Sequence, residues 1–193
     1  MTLKLYGTPR SHFTRVVRMQ CAELGLDHEW VDVGNVGDAT PFGGNPLMRV
    51  PVLVDGELSL WEADAICRYL VEREGRDPLG VGKLSWADEN LVGVVRGMMS
   101  AEVQLVLAAR SGLEPVGRFF DKARRTIEQG MKWLETRLPV GDELSYPGVW
   151  MIAMWDHVQL YELLPTAPQL APNTQAFVAR FREHPSVAPS RPQ

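Results

Sequence analysis

Apolar and polar positions change rhythm part-way along this chain. In the first 75 residues the apolar runs are short, and Gly, Pro, Asn and Asp punctuate them. Leu3 to Tyr6 forms a short apolar strand that Gly7-Thr8-Pro9 breaks. Phe13, Val16, Val17, Gln20, Cys21 and Leu24 then keep helical spacing, with Ser11 placed to cap the helix and Gly25 to end it. His28 to Val33 alternates well enough for a second strand. Strand, helix and strand within about 30 residues make a βαβ unit. Residues 34 to 46 are a loop with at most a short helix. The stretch NPLMRVPVLVDGELSLWEADAICRYL, residues 45 to 70, organises the rest. It predicts a strand over Val52 to Val54, a turn at Asp55-Gly56, a strand over Glu57 to Leu60 and a helix from Trp61-Glu62. Asp-Gly between apolar runs is a hairpin signal, because Gly tolerates the positive φ of a tight turn. Ala65, Ile66, Tyr69 and Leu70 give the helix one apolar face. A proline directly before a strand supplies no ladder donor, and a cis Val50–Pro51 bond would turn the loop and leave the Val50 backbone free for a ligand.

After residues 75 to 85, a linker rich in Gly, the pattern becomes all-helical. Leu91, Val94, Met98, Ala101, Leu105 and Ala108 form one stripe; Phe119, Ala123, Ile127, Met131, Leu134 and Leu138 form another. Val149 to Leu164 is apolar nearly all round and reads as the centre of a bundle. Residues 172 to 183 make a last short helix. The prediction is an α/β half over 1–74, βαβ(α)ββα with a four-stranded mixed sheet, and an α-helical bundle over 86–193.

Composition narrows the function classes. The formal net charge is −4 with no basic block, which argues against nucleic acid or an anionic membrane as partner. No uninterrupted apolar run approaches the ~18 residues of a spanning helix. The start, MTLKLYGTP, is too short and polar for a signal peptide. Cys21 and Cys67 both fall inside predicted helices and form no CxxC, so buried free thiols in a reducing cytoplasm are expected, with no disulfide and no metal site.

The 45–70 stretch, the string YGTPRSHFTRVV and the tail FREHPSVAPSRPQ together resemble the cytosolic glutathione S-transferase family, most nearly its serine-type, bacterial-like or phi/theta-like members. The resemblance implies a thioredoxin-like N-terminal domain, a helical C-terminal domain, a cytoplasmic homodimer and glutathione as co-substrate, used in detoxification. It implies that Pro51 is cis, that the Val50 backbone pairs with the cysteinyl part of glutathione, and that Glu62 receives the γ-glutamyl amino group. Ala63 stands where the family usually has Ser, so one hydroxyl contact to the ligand's carboxylate is missing. Arg49 is either a partner for the glycyl carboxylate or an exposed surface arginine.

The resemblance also supplies the chemistry. Such enzymes activate the thiol of glutathione, and only the thiolate is a good nucleophile. Lowering a thiol pKa from ~8.5 to ~6.5 needs about 2.7 kcal/mol of preferential thiolate stabilisation. One charge-assisted hydrogen bond contributes roughly 1.5–3 kcal/mol. Ser11 at the start of a helix is the candidate donor; its bland alternative is a plain N-cap. Tyr6 is the rival donor or a simple strand aromatic. Arg10 and His12 flank the site as loop residues, Thr8 is a weaker candidate, and Arg15 could equally be a helix-face ion-pair residue. A second-substrate pocket between the domains would draw on His12, Phe13, Met98, Met99 and Glu102. At helical spacing those methionines are equally core residues. The central helix would lack the family's capping box, with Gly148 for the cap and Met151 for the Asp. The expected reaction is conjugation of the glutathione thiolate to a small hydrophobic electrophile. The alternatives are a non-catalytic glutathione- or ligand-binding protein and, against the absence of Cys near residue 11, thiol–disulfide exchange.

Overall fold

The computed structural model describes residues 2–38 and 40–192. The chain divides into two compact units, Met1–Lys83 with Glu183–Gln193, and Leu84–Arg182. The tail therefore groups with the first unit, whereas the helical region was expected to run to residue 193. Arg18 explains part of this: its guanidinium donates to the carbonyls of Pro189 (3.0 Å) and Ser190 (3.4 Å).

The first unit is thioredoxin-like. Strands β1 (Leu3–Gly7), β2 (His28–Asp32), β3 (Val52–Asp55) and β4 (Leu58–Trp61) form one sheet in the order β2-β1-β3-β4. β2 runs parallel to β1, while β3 and β4 are antiparallel additions. Helices α1 (His12–Glu23) and α2 (Ala63–Glu74) pack side by side. Burial alternates along β1, with Leu3, Leu5 and Gly7 inside, as the two-residue period of a strand requires. The hairpin turn sits one residue later than expected. Asp55 still pairs with Leu58, so Gly56 and Glu57 are the turn residues, and Gly56 supplies the positive φ of 61° at the first of them. Trp61 remains in β4 and Glu62 is the N-cap of α2, so that helix begins at Ala63. The Val50–Pro51 bond is cis.

The second unit contains α3 (Trp86–Arg110), α4 (Arg118–Leu134), α5 (Tyr146–Leu160), α6 (Ala167–Leu170) and α7 (Pro172–Arg180). α3 packs against both α4 and α5. α3 is long and apolar enough to cross a membrane by length and composition although no uninterrupted apolar run marks it, and 56% of its most apolar window is buried within the fold. It begins with a capping box, Ser85 and Asp88 bonding each other's backbone N–H. Phe119 is 60% exposed, so the apolar stripe of α4 starts at Ala123. α5 is buried almost all round, as its composition predicts, but it starts three residues earlier than expected. Ser145 is its N-cap and accepts from the Gly148 N–H at 3.4 Å. The capping hydroxyl is thus present, and Gly148 occupies the place of the box's acid. A side chain there would be tight, since a Cβ on Gly148 would lie 3.0 Å from the Phe177 ring.

Candidate functional site

Strand pairing brings the predicted ligand residues of the first unit to one end of the sheet. Tyr6 pairs with Val52, and Val52 pairs with Trp61. β1 therefore leaves the sheet at the same end where β3 enters and β4 leaves. Ser11 follows β1 there, Val50 and Pro51 precede β3, and Glu62 and Ala63 follow β4. The N-termini of α1 and α2 both open at this end. Their unsatisfied N–H groups and aligned peptide dipoles favour anionic ligand groups.

Ser11 is the N-cap of α1, with extended backbone (φ −73°, ψ 112°). Its Oγ accepts from the Thr14 N–H at 3.1 Å and from the Thr14 hydroxyl at 2.9 Å. A hydroxyl has two acceptor lone pairs and one proton. With the Thr14 hydroxyl as donor both lone pairs are occupied and the Ser11 proton is left for another acceptor; between two hydroxyls either oxygen can donate, whereas the Thr14 N–H bond has one direction only. Capping and donation are therefore compatible in one side chain.

Tyr6 lies on the other face of the sheet. Gly7 faces Thr14 of α1, and side chains alternate along β1, so Tyr6 points away from α1. Its ring instead flanks Gly43, where a Cβ would sit 3.3 Å from it.

At the second helix start, Glu62 is exposed and held at φ 73°, ψ 117°. A non-glycine residue at such a φ is strained by roughly 1–3 kcal/mol. The Glu62 side chain makes no capping bond to α2. Ala63 is buried, and Asp64 in the first turn pairs with Arg68 at 3.1 Å. Arg49 is exposed. Its carbonyl accepts from the Asn45 amide at 3.0 Å, and the Asn45 Oδ1 accepts from the Leu47 N–H at 2.9 Å. Asn45 is 1% exposed and shapes the loop that delivers Val50–Pro51. Neither Asn45 nor Thr14 was singled out from the sequence. The Asn45-Pro46 dipeptide is a turn signal that could have found the first.

Other expectations change with burial. His12 is the first residue of α1 and is 3% exposed, not a solvent-facing loop residue; its ring lies 4.8 Å from the half-buried Phe13. Arg15 is 2% exposed, so it is a buried and not a surface residue of the helix, and its Nε donates to the Ser190 hydroxyl at 3.2 Å. Met98 and Met99 are fully buried, and the Met98 side chain fills the notch over Gly130. Glu102 is fully buried too and meets His157 Nδ1 at 2.7 Å. Burial holds the Glu102 carboxyl above its ordinary range, against the opposing pull of His157. Cys21 and Cys67 are buried free thiols, and burial pushes Cys21 up to about 12, which leaves almost no thiolate at neutral pH.

The match to a family model for "Glutathione S-transferase, N-terminal domain" spans residues 5–78. The chain is similar to glutathione S-transferase 4 of Zea mays, with 34% identity covering 74% of this chain and 71% of that protein. It is also similar to glutathione S-transferase Z1 of Arabidopsis thaliana, with 27% identity covering 96% and 84% of the two chains. Among solved structures, a glutathione S-transferase from Methylobacterium radiotolerans in complex with glutathione sulfonate superposes with a TM-score of 0.85 at 24% identity, over 100% of this chain and 95% of that one. One from Methylobacillus flagellatus with glutathione bound gives 0.84 at 22% identity, over the whole of both chains.

Proposed function

Because the chain belongs to the glutathione S-transferase family, we propose that it binds glutathione at this end of the sheet and conjugates its thiolate to a small hydrophobic electrophile. The observation that carries the proposal is the placement of Ser11, whose oxygen caps the start of α1 at the end of the sheet while its hydroxyl group also lies in contact with the Thr14 hydroxyl. A bound thiolate is the acceptor for the Ser11 proton. The α1 N-terminus adds positive potential at the same point. The thiol proton passes to solvent, and the sulfur lone pair forms the bond to the electrophilic carbon as that carbon's bond to its leaving group breaks and the leaving group departs with the electron pair. In an addition the broken bond is the π bond, whose pair takes a proton from solvent. Tyr6, on the opposite face, takes no part.

The Val50 backbone, held beside cis Pro51, pairs with the cysteinyl amide. The uncapped α2 N-terminus takes the γ-glutamyl carboxylate through backbone N–H groups, and Glu62 takes the amino group. Arg49 is exposed and free to reach the glycyl carboxylate. A cytoplasmic location and a homodimer are part of this reading; cell fractionation checks the first and gel filtration of the purified protein the second.

Ala63 favours a second reading, a non-catalytic glutathione- or ligand-binding protein on the same fold, because a charge-assisted contact worth roughly 1.5–3 kcal/mol is missing. Calorimetry with glutathione, followed by turnover on a panel of electrophiles, separates the two. Binding with turnover that Ser11→Ala lowers about 10- to 150-fold supports the enzyme. Binding without turnover on any electrophile supports the binder.

A further inference from the structure

The reading of Ser11 as thiolate donor leaves one question open: what keeps its proton aimed outward. We propose that Thr14 is a positioning residue that makes Ser11 a dedicated donor. This rests on the proposed role of Ser11 and adds a second residue to it.

Thr14 contacts Ser11 twice. Its backbone N–H and its hydroxyl both donate to the Ser11 Oγ, at 3.1 and 2.9 Å. The two bonds fill both lone-pair directions of a roughly tetrahedral oxygen, so the Ser11 proton is confined to the remaining direction. A hydroxyl that accepts hydrogen bonds is polarised into a stronger donor, so a chain Thr14 O–H to Ser11 O–H to sulfur is cooperative.

The fold holds Thr14 rigidly for this task. It is fully buried, and its β-branched side chain has few rotamers to choose from. Gly7 makes the room. A Cβ at Gly7 would lie 2.3 Å from the Thr14 methyl and 2.9 Å from its hydroxyl oxygen, so any larger residue at the end of β1 would displace Thr14. The Ser11 N–H is already bonded to the Thr8 carbonyl at 3.1 Å. Thr14, at the third position of the helix, therefore reaches the capping oxygen and not the capping N–H, unlike the acid of a capping box. A plain N-cap needs only the backbone bond. The second, hydroxyl bond is surplus to capping.

The test is the pH dependence of kcat/KM with glutathione and an electrophile the protein turns over, together with the ultraviolet thiolate absorbance of bound glutathione, for Thr14→Val, Thr14→Ala and Thr14→Ser. Val keeps the shape, and Ala covers the event that a methyl against the Ser11 oxygen disturbs folding. Loss of the hydroxyl is expected to raise the pKa of the bound thiol by about half to one unit and to lower kcat/KM about 3- to 10-fold below that pKa. Activity should recover at alkaline pH, and glutathione affinity should be little changed. Thr14→Ser should restore most of the loss. In a Ser11→Ala background, Thr14→Ala should add nothing further, which a merely structural role for Thr14 would not produce.

A thiol pKa that stays put or falls in both Thr14→Val and Thr14→Ala overturns the proposal, since Ser11 would then donate to Thr14 and not receive from it. If Ser11→Ala raises the thiol pKa and the Thr14 variants do not, only the role of Thr14 is lost. If Ser11→Ala itself leaves the thiol pKa unchanged, the role of Ser11 is lost and that of Thr14 with it.

Discussion

The two helix starts of the N-terminal unit face the same end of one sheet and are finished in opposite ways. α1 is capped by a side chain, Ser11, whose oxygen accepts from the Thr14 N–H and meets the Thr14 hydroxyl at 2.9 Å. At α2 the N-cap residue, Glu62, makes no side-chain capping bond and is exposed at a strained φ of 73°. The first arrangement offers a single directed O–H. The second offers a fan of backbone N–H groups. In our reading the first suits a sulfur and the second a carboxylate, so damage to α1 should appear in the chemistry and damage to α2 in the binding.

The largest effect is expected at α1. Ser11→Ala should lower kcat/KM about 10- to 150-fold near neutral pH, the worth of one hydrogen bond to a charged acceptor. It also removes the cap, which costs about 1 kcal/mol of stability. Ser11→Gly separates the two effects, because glycine caps almost as well and donates nothing. An equal kinetic loss in both variants, with the thermal melting point of Ser11→Gly largely kept, is the expected pattern.

At α2 the expected change is in affinity. Ala63→Ser should tighten glutathione by about tenfold in calorimetry, with kcat held constant. A change in kcat at unchanged affinity would break the division between the two helix starts. Smaller still, Glu62→Gly should relieve the strained backbone and raise the urea midpoint by the equivalent of about 1 kcal/mol, while weakening glutathione binding. Strain that is released with no loss of binding would mean that Glu62 holds nothing. Least of all, Tyr6→Phe should alter kcat/KM by no more than about twofold, since that ring faces away from α1. A large loss there would move the thiolate donor to the other side of the sheet.

Much of this was legible along the chain, and the misses are instructive. The hairpin, the Ser11 cap and the long helix Trp86–Arg110 follow from local rules: turn chemistry, capping preference and a 3.6-residue period. Errors of one to three residues arose where two rules competed. Asp55-Gly56 read as the turn, but pairing of Asp55 with Leu58 moved it to Gly56-Glu57. Gly148 read as a cap, but Ser145 precedes it by one helical turn and does the capping. Phe119 kept the period of its stripe and is exposed nonetheless, because it lies at the first turn of α4, ahead of the buried stripe that begins at Ala123.

The sequence alone determined the candidate groups: a serine at a helix start, a Val-Pro before a hairpin, an acid in the first turn of a second helix, and no cysteine near residue 11. These are local facts, since capping, turns and periodicity act over a few residues. Tertiary structure decided everything that depends on pairing distant segments. It set Ser11, Val50 and Glu62 at one end of the sheet through the register of three strands, and put Tyr6 on the opposite face. It joined Glu102 to His157 and Arg15 to Ser190, contacts between residues 55 and 175 positions apart. It also set Thr14 against Ser11 with Gly7 as the gap that admits it. No periodicity encodes such meetings, because they form only when the sheet and helices close around a shared core.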